Sequence, residues 1–378
     1  MKTFLYLGLT AVAFAGLCPA ETPFVQHNLV SDIDGMADRT DPCLINPWGI
    51  TASPTSPFWL SANHSGLSTV YDAKGIILPL IVQVPGPGGL VAATGQCAKS
   101  TFGAGAPTGT VFNDTASFVL SGTPASFIFA TEQGVIAAWN GAQGAVAKLL
   151  TDQSNSGAIY KGLAIATRSE GPLLYAADFA NGRIDVFDGS MNKVTLEGAF
   201  ADPQIPAAFA PFNIQNLGGS LYVTYALPDA EHEDDKAGPG NGYVDVFDLN
   251  GVLLKHLVAN GPLNSPWGLA IAPDTFGDFA GTLLVGNFGD GTINAFDTET
   301  GKSLGALQDA AGTNIRIPGL WGLMFGNGDA ANTLYFTAGI PGPDDVESHG
   351  LFGTIVRQPL PATRMPKRTQ AVPVLIWL

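Results

Sequence analysis

Four short apolar runs each end in a side chain that carries an oxygen atom, just before a glycine-containing turn. The runs are FWLSANHSG, FIFATEQG, LLYAADFANG and LLVGNFGDG, and the residues in question are Asn63, Glu132, Asp178 and Asn287. Oxygen atoms that converge on one point suit Ca²⁺, which takes six to eight of them. Beside such an ion, Glu132 or Asp178 could act as a catalytic acid or base. The competing interpretation is turn capping, because Asp and Asn side chains bond the backbone two residues on.

A second set of positions lies directly before a repeated glycine, which is replaced by asparagine in the fourth copy. These positions hold Trp48, Thr108, Lys161, Phe212, Trp267 and Trp321. A tryptophan could stack on a sugar or another flat ligand, and Lys161 could pair with an anion or place a cation over a ring. The sequence therefore predicts ligand binding by Trp48, Lys161, Phe212, Trp267 and Trp321. The alternative is that the tryptophans pack between neighbouring repeats.

Two long segments, 227–242 and 340–350, carry clustered acidic residues. These are Glu231, Glu233, Asp234, Asp235, Asp344, Asp345 and Glu347. They could hold a cation or form a lid over a site, although a charged run is also typical of a solvated loop. His232 and His349 also lie in these segments, and neither has the spaced partner that a zinc site needs.

The elements that must position these residues come from a repeat. NPWGI (46–50) returns as SPWGLAI (265–271) and GLWGLMF (319–325), with degenerate copies APTGTVF, IYKGLAI and APFNIQ between them. The copies lie roughly 50 to 60 residues apart, and each is followed by further apolar and alternating runs such as RIDVFDG. Repeats of this period with several strands each are typical of β-propeller blades. Six copies predict an all-β, six-bladed propeller.

The two ends of the chain are predicted to complete one blade. FVQHNLVSD (24–32) precedes the first copy as an outermost strand would, and the last blade, ending in LFGTIVR (351–357), has no such strand after it. Joining them removes the open edges that a ring must not leave. In such a blade the innermost strand begins on the face to which the second strand returns. Both sets of candidate residues and the long loops should therefore surround the mouth of the central channel.

The strings support a more specific resemblance. The copies are similar to NHL-type repeats, and NPWGI, ADFANGRIDVFD, VGNFGDGTINAFD and GLWGLMFGNG resemble one family of exported propeller proteins whose function is unassigned. The resemblance runs from about Asn28 to Gly353. It implies the propeller fold and export, and it implies no catalytic residue.

Composition and net charge restrict the classes of binding partner that we expect. The formal net charge is −15 and the sequence pI is near 4.5, so phosphate backbones would be repelled and nucleic acid is not an expected partner. Cations, neutral sugars and small organic molecules stay open, and we expect a monomer. The composition is 46% hydrophobic with 47 glycines, which gives enough apolar material for a core and many turns.

The N-terminus resembles a secretory signal. Lys2 precedes an apolar stretch from Phe4 to Leu17, and small residues follow at the cleavage positions, so residues 1–20 are the predicted signal peptide. A membrane anchor is the competing interpretation, but the run is short for a bilayer span. Residues 21–357 would form the propeller and 358–378 a disordered tail. In an oxidising compartment, Cys43 and Cys97 could form a disulfide; two buried free thiols are the alternative.

Taken together, the sequence favours a secreted binding or interaction protein rather than an enzyme. Its ligand, at the channel mouth, would be a small molecule, a glycan or a protein. The alternative is a Ca²⁺-dependent hydrolase, lactonase or lyase with the metal on the propeller axis, which requires at least three of Asn63, Glu132, Asp178 and Asn287 to converge.

Overall fold

A computed structural model describes residues 22–91, 97, 104–342 and 347–358. The chain forms six antiparallel four-stranded blades around a central axis, which confirms the predicted six-bladed propeller. The strands, from the axis outward, are as follows. Blade 1 has Pro47–Thr51, Phe58–Ala62, Leu67–Tyr71 and Ile77–Gln83; blade 2 has Pro107–Phe112, Phe127–Thr131, Val135–Trp139 and Lys148–Asp152; blade 3 has Tyr160–Arg168, Gly171–Asp178, Arg183–Asp188 and Lys193–Val194. Blade 4 has Ala210–Leu217, Ser220–Ala226, Tyr243–Phe247 and Leu253–Ala259; blade 5 has Pro266–Ile271, Leu283–Asn287, Ile293–Phe296 and Ser303–Ala306; blade 6 has Leu320–Phe325, Leu334–Ile340, His349–Arg357 and Phe24–Ser31.

Burial explains why the hydrophobic pattern of the middle strands of a blade differs from that of its outermost strand. The second and third strands of blade 1, Phe58–Ala62 and Leu67–Tyr71, are buried at every position because a neighbouring blade covers each face. They therefore appear as continuous runs of apolar and small residues. The outer strand Ile77–Gln83 lies at the rim, and several of its residues reach solvent.

The first strand of the chain closes the ring. Phe24–Ser31 pairs antiparallel with His349–Arg357, from Phe24 opposite Arg357 to Ser31 opposite Leu351, with one register shift between Asn28 and Val30. A two-residue strand, Arg39–Thr40, adds to its outer edge in parallel. The predicted joining of the chain ends is thus confirmed, and the last blade keeps no unpaired third strand.

The glycine of the repeat is required by the close approach of inner strands near the axis. A Cβ atom on Gly49 would lie 2.4 Å from the carbonyl oxygen of Thr108 in the next blade. The corresponding glycines of blades 2, 3, 5 and 6 lie equally close to their neighbours, within 2.7 Å. In blade 4 Asn213 takes this place, and its Nδ2 donates a hydrogen bond to the carbonyl oxygen of Trp267 at 2.8 Å.

The disulfide prediction is confirmed, since Cys43 and Cys97 are bonded across a sequence separation of 54 residues. The predicted signal peptide lies outside the described residues, as does the predicted tail apart from Gln358, whose N–H donates to the carbonyl oxygen of Pro23. Within the described ranges no helix has the length and hydrophobicity to cross a bilayer.

Candidate functional site

Aromatic rings from several blades meet at the axis, at the end of the channel where the inner strands begin. We call this group the aromatic plug; it consists of Trp48, Phe179, Phe212, Trp267, Phe288 and Trp321. Trp48 stacks on Trp321 with ring centroids 3.6 Å apart, and Phe288 stacks on Trp321 at 4.1 Å. Trp267 packs edge-on against both tryptophans, at 6.2 and 5.7 Å.

The faces of the aromatic rings that were predicted to stack on a flat ligand are buried inside the plug. Trp48, Trp267 and Trp321 are at most 4% exposed and Phe212 is fully buried. In the structure these rings pack against one another between blades, which is the alternative interpretation. Stacking of a sugar on them stays a prediction, and it would require the rings to separate. Thr108 is also buried, and its hydroxyl donates to the carbonyl oxygen of Tyr160.

Lys161 is the charged member of this set, and its side chain is 1% exposed. Its Nζ lies 5.0 Å from the ring centroid of Trp48, a cation–π arrangement. The same ammonium donates to Glu132 Oε1 at 2.5 Å and to Asp234 Oδ1 at 2.9 Å. Lys161 thus joins the plug to the acidic loops above it.

We call the carboxyl groups around this ammonium the acidic cap: Glu132, Asp234, Asp235 and Glu347. Asp234 and Asp235 belong to a short hairpin in the long blade-4 loop, held by hydrogen bonds from Asp229 N to Asp234 O and from Lys236 N to Leu227 O. Glu347 comes from the blade-6 loop, and its Oε1 accepts a hydrogen bond from Trp321 Nε1 at 3.1 Å. Two loops that are distant in sequence therefore converge over the axis.

The cap holds more carboxyl groups than its single ammonium neutralises. Burial, and then the charges of Glu132 and Asp234, raise the pKa of Glu347 to about 8, against the opposing effect of Lys161. Burial is also the main cause that raises the pKa of Asp235 to about 6. For Lys161, burial acts to lower the pKa, but Glu132 and Asp234 outweigh it and the pKa is raised. At neutral pH the cap therefore combines a permanent ammonium with a protonated carboxyl group.

A Glu347→Gln variant should become more stable relative to the natural protein as pH rises. The pKa of Glu347 in the folded state, about 8, exceeds its ordinary value of 4.5, so folding favours the protonated form. This contribution is complete below pH 4.5 and is lost as pH rises through 8. We expect the difference in unfolding free energy between variant and natural protein to shift by about 2–4 kcal/mol between pH 5 and 8.5. Each of the roughly three pH units from 5 to 8 contributes at most about 1.4 kcal/mol, and contact of Glu347 with water lowers that value. Urea denaturation at both pH values measures it, and a pH-independent difference would contradict the account.

Of the four residues predicted to converge on a metal, the structure joins two. Asn63 Nδ2 donates to Glu132 Oε2 at 3.0 Å. Asp178 instead accepts hydrogen bonds from Ile159 N and from Asn181. Asn287, likewise, holds the connection before its own blade through Asn264 N and Pro262 O. The turn-capping alternative thus fits Asp178 and Asn287. Axial calcium stays a prediction, and the structure shows a contact between only two of the three residues that it requires.

The acidic loop residues divide in the same way. Asp234, Asp235 and Glu347 reach the axis, whereas Glu231 and Glu233 are exposed. Asp344 and Asp345 lie outside the described residues. The long loops therefore do overhang the channel, as their position after the second strands predicted.

A second space lies along the rest of the channel, and no pattern in the sequence predicts it. A cavity of about 460 Å³ is lined by the later residues of the inner strands, including Thr110, Ile165, Gln215 and Met324. The sequence predicts the ligand site at the other end of the channel, where the aromatic plug lies. It could not show that the aromatic side chains fill the axis at that end.

Two curated proteins of Acanthamoeba polyphaga mimivirus align with nearly the whole chain. Uncharacterized protein R648 is 34% identical over 350 residues, which cover 89% of this chain and 81% of R648. The chain belongs to the family of R648. Uncharacterized protein L690 falls in the same family, at 31% identity over 343 residues, 87% of this chain and 84% of L690. No protein-family model matches the chain.

Solved structures resemble this family member in fold alone. A protein of unknown function from Bacteroides thetaiotaomicron aligns with a TM-score of 0.50 at 10% identity, over 89% of this chain and 76% of its own. A calcium-binding regucalcin from Agrobacterium tumefaciens aligns with a TM-score of 0.49 at 14% identity, over 90% of this chain and 96% of its own. Likenesses this distant say nothing about the ligand.

Proposed function

We propose that the protein is a binding protein whose ligand presents a positively charged group to the acidic cap. The observation that carries the proposal is the excess of carboxyl groups over ammonium at the top of the axis. A cationic group that entered the cap would replace the proton of Glu347 and neutralise carboxylates that now face one another. A protonated amine of a small molecule, or a lysine or arginine side chain of a protein, has the required chemistry.

A buried amide supports the same interpretation. Asn63 is 1% exposed, and its Nδ2 donates to Glu132, which directs the amide group towards the cap. Its Oδ1 is buried and has no hydrogen-bond partner among the described residues. Because an unsatisfied buried acceptor is costly, this atom favours a ligand that brings a donor. An ammonium group is such a donor.

The cap is less suited to catalysis than to binding. Lys161 is held in its charged form by Glu132 and Asp234, so it cannot serve as a general base or a nucleophile. Ser303 lies in a GxSxG string, Gly301–Gly305, but it is exposed on the outer strand of blade 5 rather than at the strand-to-helix turn of a nucleophile elbow.

Calorimetric titration with tetralysine as the probe tests the proposal. We expect saturable binding in low salt and none with tetraglutamate. Asp234→Asn should weaken tetralysine binding about fivefold, since a partly exposed ion pair is worth about 1 kcal/mol. Asp234 is suited to this change because its side chain is 75% exposed and its loss should not affect folding.

The matched control is Glu299→Gln. Glu299 is 79% exposed, pairs with Lys255, and lies on the opposite face of the propeller, so this variant should bind tetralysine normally. Absence of saturable binding, or equal weakening by Asp234→Asn and Glu299→Gln, would refute the proposal.

A Ca²⁺-dependent hydrolase, lactonase or lyase is the second candidate, favoured by the contact between Asn63 and Glu132. A calcium ion there would have to displace Lys161 from Glu132, after which a protonated Glu347 could supply a proton. Thermal melts after chelation and after return of Ca²⁺ decide this point, because a bound ion raises the melting temperature by mass action. A reversible rise would favour the metal enzyme, and no rise would remove it.

Export is part of the proposal. The disulfide between Cys43 and Cys97 supports it, since such bonds persist mainly in oxidising compartments. We therefore infer a secreted protein that meets its ligand outside the cell as a monomer. The likeness of its repeats to the NHL type stays a prediction.

A further inference from the structure

Blade 4 carries a second cluster of ionisable side chains, away from the acidic cap. Asp245 on the third strand and His256 on the outer strand are cross-strand partners in the sheet. Asp202 reaches them from the segment that precedes the blade. The two carboxylate side chains are 1% and 0% exposed, and the imidazole is 18% exposed.

One ring nitrogen faces both carboxylates. His256 Nδ1 lies 2.6 Å from Asp202 Oδ2 and 3.0 Å from Asp245 Oδ1. A ring nitrogen carries at most one proton, so it cannot donate a full hydrogen bond to each carboxylate. Asp202 Oδ1 accepts from Gln204 N, which leaves Oδ2 for the cluster. Asp245 Oδ2 is buried with no hydrogen-bond partner among the described residues.

Blade 3 shows how the chain neutralises the same position elsewhere. Asp185 occupies in RIDVFD the place that Asp245 occupies in YVDVFD. Asp185 is paired with Arg183 Nε at 2.8 Å and Lys193 Nζ at 2.7 Å. In the part of the chain that the structure describes, no lysine or arginine pairs with Asp245; blade 4 offers instead an imidazole and a second carboxylate. The protein therefore supplies two positive charges in blade 3 and a set of potential metal ligands in blade 4.

We propose that Asp202, Asp245 and His256 form a binding site for a divalent transition metal ion, with Zn²⁺ the best match. Zn²⁺ binds imidazole nitrogen and carboxylate oxygen at about 2.0–2.2 Å. Three ligands at that distance from one ion would lie about 3 Å apart, close to the 2.6 and 3.0 Å seen around Nδ1. The nitrogen ligand disfavours Ca²⁺ and Mg²⁺, which prefer oxygen.

The site would be reached from the rim of the blade, where the imidazole edge meets solvent. Three protein ligands leave at least one coordination position of the ion for water or for a bound molecule. The cluster is separate from the acidic cap and does not depend on the function proposed there.

Titration of the chelator-treated full chain with Zn²⁺, followed by calorimetry and thermal melting, tests the proposal. We expect one Zn²⁺ per chain bound at this site and a rise in melting temperature. Both should be lost in His256→Gln and in Asp202→Asn. Co²⁺ as a second probe should give visible absorption bands that disappear in the same two variants.

His27→Gln is the matched control. His27 Nε2 pairs with a single carboxylate, Asp38 Oδ2, at 3.0 Å, so it offers an Asp–His pair without the third ligand. This variant, and Asp234→Asn in the acidic cap, should bind Zn²⁺ normally. If the natural protein binds no Zn²⁺, or if folded His256→Gln and Asp202→Asn bind it unchanged, the cluster is a hydrogen-bonded structural triad and the proposal is wrong.

Discussion

Replacing Trp321 with alanine should lower the free energy of unfolding by about 3–5 kcal/mol, the usual cost of removing a buried tryptophan. The ring is 1% exposed and lies at the centre of the aromatic plug, stacked between Trp48 and Phe288. Its loss leaves a cavity on the axis. The inner strands around this cavity belong to different blades, so they cannot move inward to fill it. Urea denaturation of the variant and the natural protein measures the difference.

Trp321→Phe is the matched control for this experiment. It keeps an aromatic ring in the stack but removes the N–H that donates to Asn46 and Glu347. We expect it to cost about 1–3 kcal/mol, the range for leaving a buried acceptor without a donor. If Trp321→Ala costs less than 1 kcal/mol, the plug does not stabilise the propeller, and its aromatic side chains are free to separate and admit a ligand.

Replacing Lys161 with methionine should destabilise the fold by about 3 kcal/mol at pH 7.5. Removing one partner of a buried ion pair costs roughly 3–5 kcal/mol, and the lower end applies because Glu132 keeps 25% of its side chain exposed. The variant would retain the carboxylates of the cap with no ammonium between them. The penalty should shrink at pH 4, because this pH lies below the raised pKa values of Asp235 and Glu347, about 6 and 8, and the protonated groups add no charge to the cap.

Two further variants separate charge from packing at this position. Asp234→Asn should cost less than 1 kcal/mol, since Asp234 is largely exposed. Adding Glu132→Gln to Lys161→Met should restore part of the lost stability, because one of the two carboxylates that lose the ammonium is then uncharged. Equal stability of Lys161→Met and the natural protein in urea at pH 7.5 would mean that the ammonium does not balance the cap.

Most of the fold could be predicted from the sequence, because each blade repeats the same local pattern. The glycine after Trp48 recurs because neighbouring inner strands meet there. The segment Phe24–Ser31 has the pattern of an outer strand but precedes the first blade, which indicates that it pairs with the last one. The loop positions over the channel follow from the same topology. These features depend on local sequence and on strand order, both of which the chain displays directly.

The site could be predicted only in part, because its contacts are distant in sequence. That Lys161 would pair with Asp234, 73 residues away, has no local signal. Whether the tryptophans would line an open rim or fill the axis depends on side-chain volumes from several blades at once. Asp178 and Glu132 end equivalent apolar runs. Asp178 nevertheless holds a turn through backbone hydrogen bonds, whereas Glu132 belongs to the acidic cap. The cluster around His256 was missed altogether, although the aspartate shared by RIDVFD and YVDVFD was the available sign.

The central claim, that the acidic cap binds a cationic group, is tested most directly by counting the protons released on binding. Tetralysine is titrated by calorimetry at pH 7 in two buffers with different ionisation enthalpies. Because burial and like charges raise the pKa of Glu347 to about 8, binding should release close to one proton, and Glu347→Gln should reduce that number towards zero. A heat of binding that is the same in both buffers, or a proton count unchanged in Glu347→Gln, would contradict the claim.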